Sequence, residues 1–93
     1  MGFLPIPAGM FFEDFEQDVL EYNILDHDAL ISTYRGLSNS DEGGNYIGFL
    51  MSDQPQISIG NIIRTADGLE SYKVSQISYD RYEGKAELLK AYY

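Results

Sequence analysis

Residues 57–93 read ISIGNIIRTADGLESYKVSQISYDRYEGKAELLKAYY, and this stretch decides the fold class. A run rich in β-branched residues over Ile57–Thr65 is followed by Asp67-Gly68, a two-residue hairpin turn, and by a returning strand over Tyr72–Tyr79. A second turn at Glu83–Lys85 leads into a C-terminal strand. Two consecutive hairpins predict a small β-rich domain.

Further strands are predicted upstream of these hairpins. Asp18–Leu25 alternates apolar and polar residues, which favours a strand, although a helix over Glu13–Leu25 is the competing interpretation. Ala29–Arg35 and Tyr46–Met51 are two more strand candidates. The sequence therefore predicts an all-β fold, a small antiparallel β-barrel of about six strands, open or closed.

Two connections and one strand irregularity follow from the same pattern. Asp26–Asp28 is a polar turn, and Gly36–Asn45, with three Gly among small polar and acidic residues, is predicted to be a flexible surface loop. In the returning strand the apolar residues change parity halfway. A β-bulge near Ser75-Gln76 would let both halves face the core.

The first residues form an apolar arm. Residues 1–12 are interrupted by Pro5, Pro7 and Gly9, which predicts an extended or polyproline-like lead-in, with a single helical turn conceivable over Phe11–Phe15. We therefore divide the chain into an arm, 1–17, and one domain, 18–93. The apolar residues of the arm either pack on the chain's own domain or dock on another chain, and the sequence leaves both open.

Composition and charge narrow the function classes. The 93 residues carry a formal charge of -9, of which -7 falls in residues 1–34 and -2 in residues 35–93. An acidic chain repels nucleic-acid phosphates and anionic membranes, so we expect neither direct sequence-specific nucleic-acid binding nor membrane binding. No apolar run is long enough to span a bilayer, and the absence of Cys makes a cytoplasmic setting the default.

Catalytic and metal-binding patterns are missing from the sequence. His27 is the only His and lies between two Asp residues in a turn, and no Cys is present to act as nucleophile or ligand. The acids Asp41 and Glu42 do not have the spacing of a calcium loop. We therefore predict no catalytic residues, no metal site, no cofactor and no enzyme activity. A small hydrolase with paired carboxylates is the enzymatic alternative.

Protein contacts are the remaining function class. The apolar arm, the Gly-rich loop and the chain end supply side chains suited to interfaces, because aromatic and aliphatic groups bury large areas there. The eight Tyr residues fit an interface or the rim of a small core equally well. The candidate interface residues are Phe3, Leu4, Ile6, Phe11, Phe12, Leu37, Asp41, Glu42, Tyr92 and Tyr93.

Four segments of the chain resemble the small neck proteins of tailed bacteriophages and prophages, the head-closure (stopper) and head-tail joining proteins. Asn61 stands where Asp is commoner in that family, and the arm has no counterpart in it. The segments are Ile57-x-Ile59-Gly60-Asn61-Ile62-Ile63, Asp67-Gly68-Leu69-Glu70-x-Tyr72-Lys73-Val74, Ile77-x-Tyr79-Asp80 and Gly84-Lys85-x-Glu87-Leu88-Leu89.

This resemblance implies a stopper-like or SH3-like barrel that acts by protein-protein ring assembly. The implied partners are other phage structural proteins, of the portal, adaptor or tail-completion type, together with copies of this chain in a homo-oligomeric ring. The implied location is the virion or the host cytoplasm. Gly36–Asn45 would contact a neighbour or line a DNA channel. A monomeric SH3-like adaptor that binds a protein or peptide is the alternative, and tyrosines gathered in one groove would favour it.

Overall fold

The computed structural model describes residues 2–93, and Met1 of the predicted arm lies outside this range. The described residues form one helix and eight strands. Two 3₁₀ turns, Glu16–Asp18 and Met51–Asp53, complete the regular structure. The elements are β1 (Gly2–Phe3), α1 (Ala8–Asp14), β2 (Val19–Asp26), β3 (Ala29–Asp41), β4 (Gly44–Leu50), β5 (Ile62–Thr65), β6 (Ser71–Lys73), β7 (Gln76–Tyr82) and β8 (Lys85–Tyr92).

All eight strands belong to one sheet, in the order β1-β7-β8-β4-β3-β2-β5-β6. Every neighbouring pair is antiparallel except β1, which runs parallel to β7. The all-β class is confirmed. Of the open and closed forms that the sequence left possible, the closed one does not form, because β1 and β6 end the sheet and no ladder within residues 2–93 joins them.

The chain changes neighbours where a bulge was predicted. Strand β6 ends at Lys73 and β7 begins at Gln76. Between them the amide of Val74 donates to the Asn61 carbonyl at 2.9 Å, and the amide of Ser75 donates to the Tyr92 carbonyl at 2.7 Å. The returning strand is therefore broken rather than bulged, and this break connects the β5 side of the sheet to the β8 side.

Two predicted turns are confirmed. His27 and Asp28 have φ of 49° and 66°, and Glu83 and Gly84 have φ of 51° and 79°. Two consecutive residues with positive φ define the tight turn whose twist matches antiparallel strands. These turns join β2 to β3 and β7 to β8.

The hairpin around Asp67 has a longer loop than predicted. Strand β5 covers only Ile62–Thr65, and five residues, 66–70, separate it from β6. The Asp67 carboxylate accepts hydrogen bonds from Thr65 Oγ1 at 2.6 Å and from the Leu69 amide at 2.9 Å, and these bonds close the loop. The first half of the predicted strand, residues 57–61, forms a turn in which the Asn61 side chain accepts from the Ser58 amide.

The predicted flexible loop Gly36–Asn45 is wrong. Strand β3 continues to Asp41 and β4 begins at Gly44, so only two residues turn the chain. A side chain at Gly36 would place its Cβ 2.8 Å from Ile47 Cγ2. This glycine is required by close packing inside a paired strand, and its presence does not indicate mobility.

The sheet packs a hydrophobic cluster against each of its faces. The larger cluster lies on the face of Tyr22, Ile47 and Phe49 and forms the main core. The smaller one lies on the opposite face, where α1 covers β3, β4 and β8 through Ala8, Phe12, Leu37, Leu50 and Leu88. The expectation of an extended arm is therefore wrong over α1, because packing of Ala8 and Phe12 on the sheet stabilises a helix that its propensity alone would not.

Candidate protein-interaction surface

The N-terminal segment is anchored on the sheet at three points. The Leu4 amide donates to the Arg81 carbonyl at 2.7 Å, and the Ala8 amide donates to Glu87 Oε1 at 3.0 Å. Phe12 is buried between α1 and the sheet. These contacts fix the position of the segment, so its exposed side chains are presented by a rigid support.

The outer side of this anchored segment is strongly apolar. Phe3 is 79% exposed, Phe15 50% and Met10 45%. Beside them lies a cavity of about 80 Å³. Exposed apolar side chains around a cavity are typical of a surface that another protein covers. The cavity is lined by Leu4, Phe11, Phe12, Phe15, Leu37, Asn39, Tyr46, Gly48, Asp80 and Leu88.

A buried lysine lies beside this cavity. Lys90 faces the same side of the sheet as Leu88, and its side chain is only 8% exposed. Its Nζ donates to Asp41 Oδ2 at 2.7 Å and lies 3.0 Å from Asp80 Oδ1. That Asp80 oxygen accepts no well-aligned hydrogen bond from the described residues, so it depends on the charge of Lys90.

Two tyrosines complete this polar cluster. The hydroxyl of Tyr92 donates to Asp41 at 2.8 Å, and the rings of Tyr46 and Tyr92 lie 5.3 Å and 5.7 Å from Lys90 Nζ. Aromatic faces attract a cation at this distance. The Asp41 carboxylate also accepts from the Gly43 amide at 2.8 Å. The cluster therefore ties the β3–β4 turn to β8.

The electrostatics of the cluster follow from these contacts. The hydrogen bond from Lys90 is the main cause that lowers the pKa of Asp41, with smaller contributions from Tyr92 and the Gly43 amide. Burial alone would lower the pKa of Lys90, but its contacts with Asp41, Tyr92 and Asp80 outweigh burial and raise it. Burial is the main cause that raises the pKa of Tyr92. The cluster therefore favours the charged ammonium of Lys90 beside the carboxyl groups of Asp41 and Asp80.

The chemistry of Lys90, Asp41 and Asp80 is that of a structural ion cluster. A paired-carboxylate hydrolase needs one carboxyl group with a raised pKa to act as an acid. Asp41 has a lowered pKa and is held by Lys90 and Tyr92. Asp41 also borders an open groove of about 430 Å³, which continues over Glu42, Gln76 and Ser78.

The C-terminal tyrosines are held in place. The Tyr93 amide donates to the Asn45 carbonyl at 3.2 Å, and its ring lies 4.3 Å from that of Tyr72. Tyr92 packs against Tyr46 with ring centroids 5.4 Å apart. Tyr22 lies in the core, so the tyrosines are distributed over several sites and do not form one groove.

The structure brings most of the predicted interface residues to one side of the sheet. Phe3 and Glu42 are exposed, Phe12 and Leu37 are buried beneath α1, and Tyr93 lies apart beside Tyr72. Those that line the cavity or the adjoining groove are Leu4, Phe11, Phe12, Leu37, Asp41, Glu42 and Tyr92, while Ile6 is half-buried between β1 and α1.

Four residues of this surface escaped the sequence analysis. Lys90 and Asp80 act in the ion cluster, and Met10 and Phe15 are exposed next to the cavity. A signal existed for Lys90, because it is the lone charge in an otherwise apolar run of β8 and shares the parity of Tyr92. Phe15 could have been found as the last aromatic residue of the apolar arm.

Other sites carry less chemistry. The side chain of His27 is 96% exposed in its turn, 3.8 Å from Asp26. Among residues 2–93, no group of three or more His, Cys, Asp or Glu side chains is placed to hold a metal ion. No helix in this part of the chain has the length and apolar character needed to cross a membrane.

Comparison with known proteins gives no relative. No protein-family model, no curated protein and no solved structure matches the chain significantly.

Proposed function

We propose that this protein is a structural subunit that works by docking on other proteins, as a component of the head-tail connector of a tailed phage or prophage. The observation that carries the proposal is the N-terminal segment, which is anchored by Phe12 yet leaves Phe3, Met10 and Phe15 exposed, the last of them lining a cavity. The resemblance to neck proteins supplies the class of partner. Its setting would be the virion or the host cytoplasm.

Two further observations support a binding role without catalysis. The carboxylates of Asp41 and Asp80 are both engaged by Lys90. The only His lies in an exposed turn with no partner beyond Asp26 within the described residues. The monomeric adaptor gains no support, since the tyrosines do not gather in one groove.

Binding to purified portal, adaptor and tail-completion proteins encoded beside this chain tests the proposal. Mixing each with this protein, followed by mass photometry and negative-stain microscopy, should detect a stable complex with at least one of them. Binding to none of these proteins would overturn the proposed function.

Matched variants locate the docking surface. Phe3→Ser and Met10→Ser remove exposed apolar groups without opening the core, so the complex should weaken about tenfold or more while the fold persists. Leu69→Ser is the control, because Leu69 is 83% exposed in the loop between β5 and β6, away from α1. Equal weakening by Leu69→Ser would contradict the assignment of the surface.

A further inference from the structure

A basic patch interrupts this acidic molecule. It is formed where residues 21–23 of β2 pair with residues 33–35 of β3 and where β5 pairs with β6, by the side chains that point away from the main core, and we call it the basic face. The end of β3 that carries Asp41 points to the same side of the sheet but lies outside this patch. Directly opposite residues of antiparallel strands share a face, so the register of these strands defines its members. They are Glu21, Asn23, Thr33, Arg35, Ile62, Arg64, Ser71 and Lys73.

The charge of this face is opposite to that of the rest of the chain. The basic face holds three of the six bases and one of the 15 acids, which gives it a formal charge of +2. Since the whole chain has a net charge of -9, the residues outside this face together carry -11. Among the described residues, no carboxylate lies within 4.0 Å of Arg35, Arg64 or Lys73. Arg64 is instead held in place by the 2.9 Å bond from its Nε to Ser71 Oγ.

The basic face requires an acidic occupant, and the chain itself presents one. Residues 13–18, EDFEQD, carry four acids and no base, and all six side chains are exposed. Phe15 stands at their centre, half-exposed, and could cover the partly exposed Ile62 of the basic face. The anchors of α1 hold this acidic segment in one position, which lowers the entropy cost of docking.

Nucleic acid fits the basic face less well. A patch of three bases neutralises few phosphates, and the -11 of the surrounding molecule repels a polyanion over distances of about 10 Å at ordinary salt. A rigid protein segment with four acids fits the size of the patch.

We propose that the basic face of one copy binds the acidic segment 13–18 of a second copy. The inference rests on the proposed assembly role and names the partner of each copy. The two surfaces are different, so the contact is head-to-tail, and repetition of it gives a ring when the rotation closes.

Charge reversal tests the pairing. Sedimentation velocity should show concentration-dependent association of the wild-type chain at about 50 mM salt and its loss at about 500 mM, where the Debye length falls to roughly 4 Å. Arg64→Glu/Lys73→Glu turns the formal +2 of the basic face into -2, and Glu13→Lys/Asp14→Lys/Glu16→Lys turns the formal -4 of the acidic segment into +2. Each variant alone should associate at least about tenfold more weakly, because its two surfaces now repel.

Mixing the two variants is the decisive measurement. Each altered surface then meets its complement on the other variant, so association should return in the equimolar mixture. Arg81→Glu/Lys85→Glu is the control for the first variant, because it changes the net charge equally at a site off the basic face. Arg35→Glu/Lys73→Glu, at two exposed positions, replaces the first variant if circular dichroism shows that it does not fold.

Three outcomes would overturn the inference: a wild-type chain that stays monomeric at low salt, a folded mixture that does not associate, or equal loss in the Arg81/Lys85 control. Docking on portal or tail-completion proteins through Phe3 and Met10 is measured separately. A monomer that still binds those proteins therefore removes this inference and leaves the proposed function standing.

Discussion

Replacing Lys90 by Met should destabilise the fold strongly. Met has nearly the length of Lys and fills the same space between the rings of Tyr46 and Tyr92, so little packing is lost. What is lost is the ammonium group that lies 2.7 Å from Asp41 and 3.0 Å from Asp80. Two carboxylates would then face each other across the sheet without a cation.

The size of this destabilisation follows from how deeply the two carboxyl groups are buried. Breaking a buried ion pair by removing one partner costs about 3–5 kcal/mol. The side chain of Asp80 is 12% exposed and must bear most of this cost, whereas that of Asp41 is 33% exposed and can be hydrated again. We therefore expect a loss of about 3 kcal/mol, a large share of the roughly 5–15 kcal/mol typical of a domain. For a chain of this size the loss corresponds to a fall in Tm of about 12–24 °C.

Urea and thermal denaturation followed by far-UV circular dichroism at pH 7 measure this loss. Asp41→Asn/Asp80→Asn/Lys90→Met removes the unpaired charges together with the cation and should recover at least half of the stability. Lys85→Met is the surface control and should change it by less than about 0.5 kcal/mol. Because the hydrogen bond from Lys90 lowers the pKa of Asp41 from 3.8, the stability from this pair is present above pH 3.8 and is lost as the pH falls below it, so the penalty of Lys90→Met should shrink in that range. A loss below about 1 kcal/mol, or a triple variant no more stable than Lys90→Met, would refute this reasoning.

Other predictions concern packing and alkaline pH. Gly36→Ala should lower the free energy of unfolding in urea by about 1–3 kcal/mol, because the new Cβ would lie 2.8 Å from Ile47 Cγ2. Gly9→Ala should raise it by up to about 1 kcal/mol, because Gly9 is helical and its Cβ would meet no atom within 4 Å. Equal effects of the two variants would contradict the packing argument. Phe12→Ala should cost about 3–5 kcal/mol and speed hydrogen exchange over α1 first, and unchanged exchange there would show that Phe12 does not anchor the helix. Burial raises the pKa of Tyr22 from 10.0 to about 12, so its contribution to stability is complete below pH 10 and is lost as pH rises toward 12. Tyr22→Phe should flatten the fall of Tm over this range, and an identical Tm profile would exclude Tyr22 as its cause.

The strands with local signals could be predicted from sequence. Alternation in Asp18–Leu25 identified β2, and the dipeptides at His27 and Glu83 marked turns that their positive φ values require. These features depend on residues adjacent in the chain. The stopper-like or SH3-like closure was inferred by analogy, and no ladder in residues 2–93 closes the sheet.

The failed predictions share one physical cause, which is that distant contacts decided the local structure. Asp41 lies in a Gly- and Ser-rich run typical of loops, but its carboxylate binds Lys90, 49 residues further on, and Tyr92, 51 further on. The prolines of the arm indicated extended chain, yet Pro7 directly precedes α1, where its missing amide costs nothing. Neither the ion cluster nor the burial of Phe12 has a signal within its own segment.

The bases of this chain divide into two environments that salt should distinguish. Lys90 lies between Asp41, Asp80 and two aromatic rings and its side chain is only 8% exposed, so salt screens its ion pairs weakly. The basic face with Arg35 and Lys73 is open to solvent, so added salt screens it. Raising salt to about 500 mM should therefore abolish the proposed association between copies while the loss of Tm caused by Lys90→Met persists almost unchanged. If salt removed that loss as well, the Lys90 cluster would have to be accessible to ions, and its role as the buried tie between β3, β7 and β8 would be wrong.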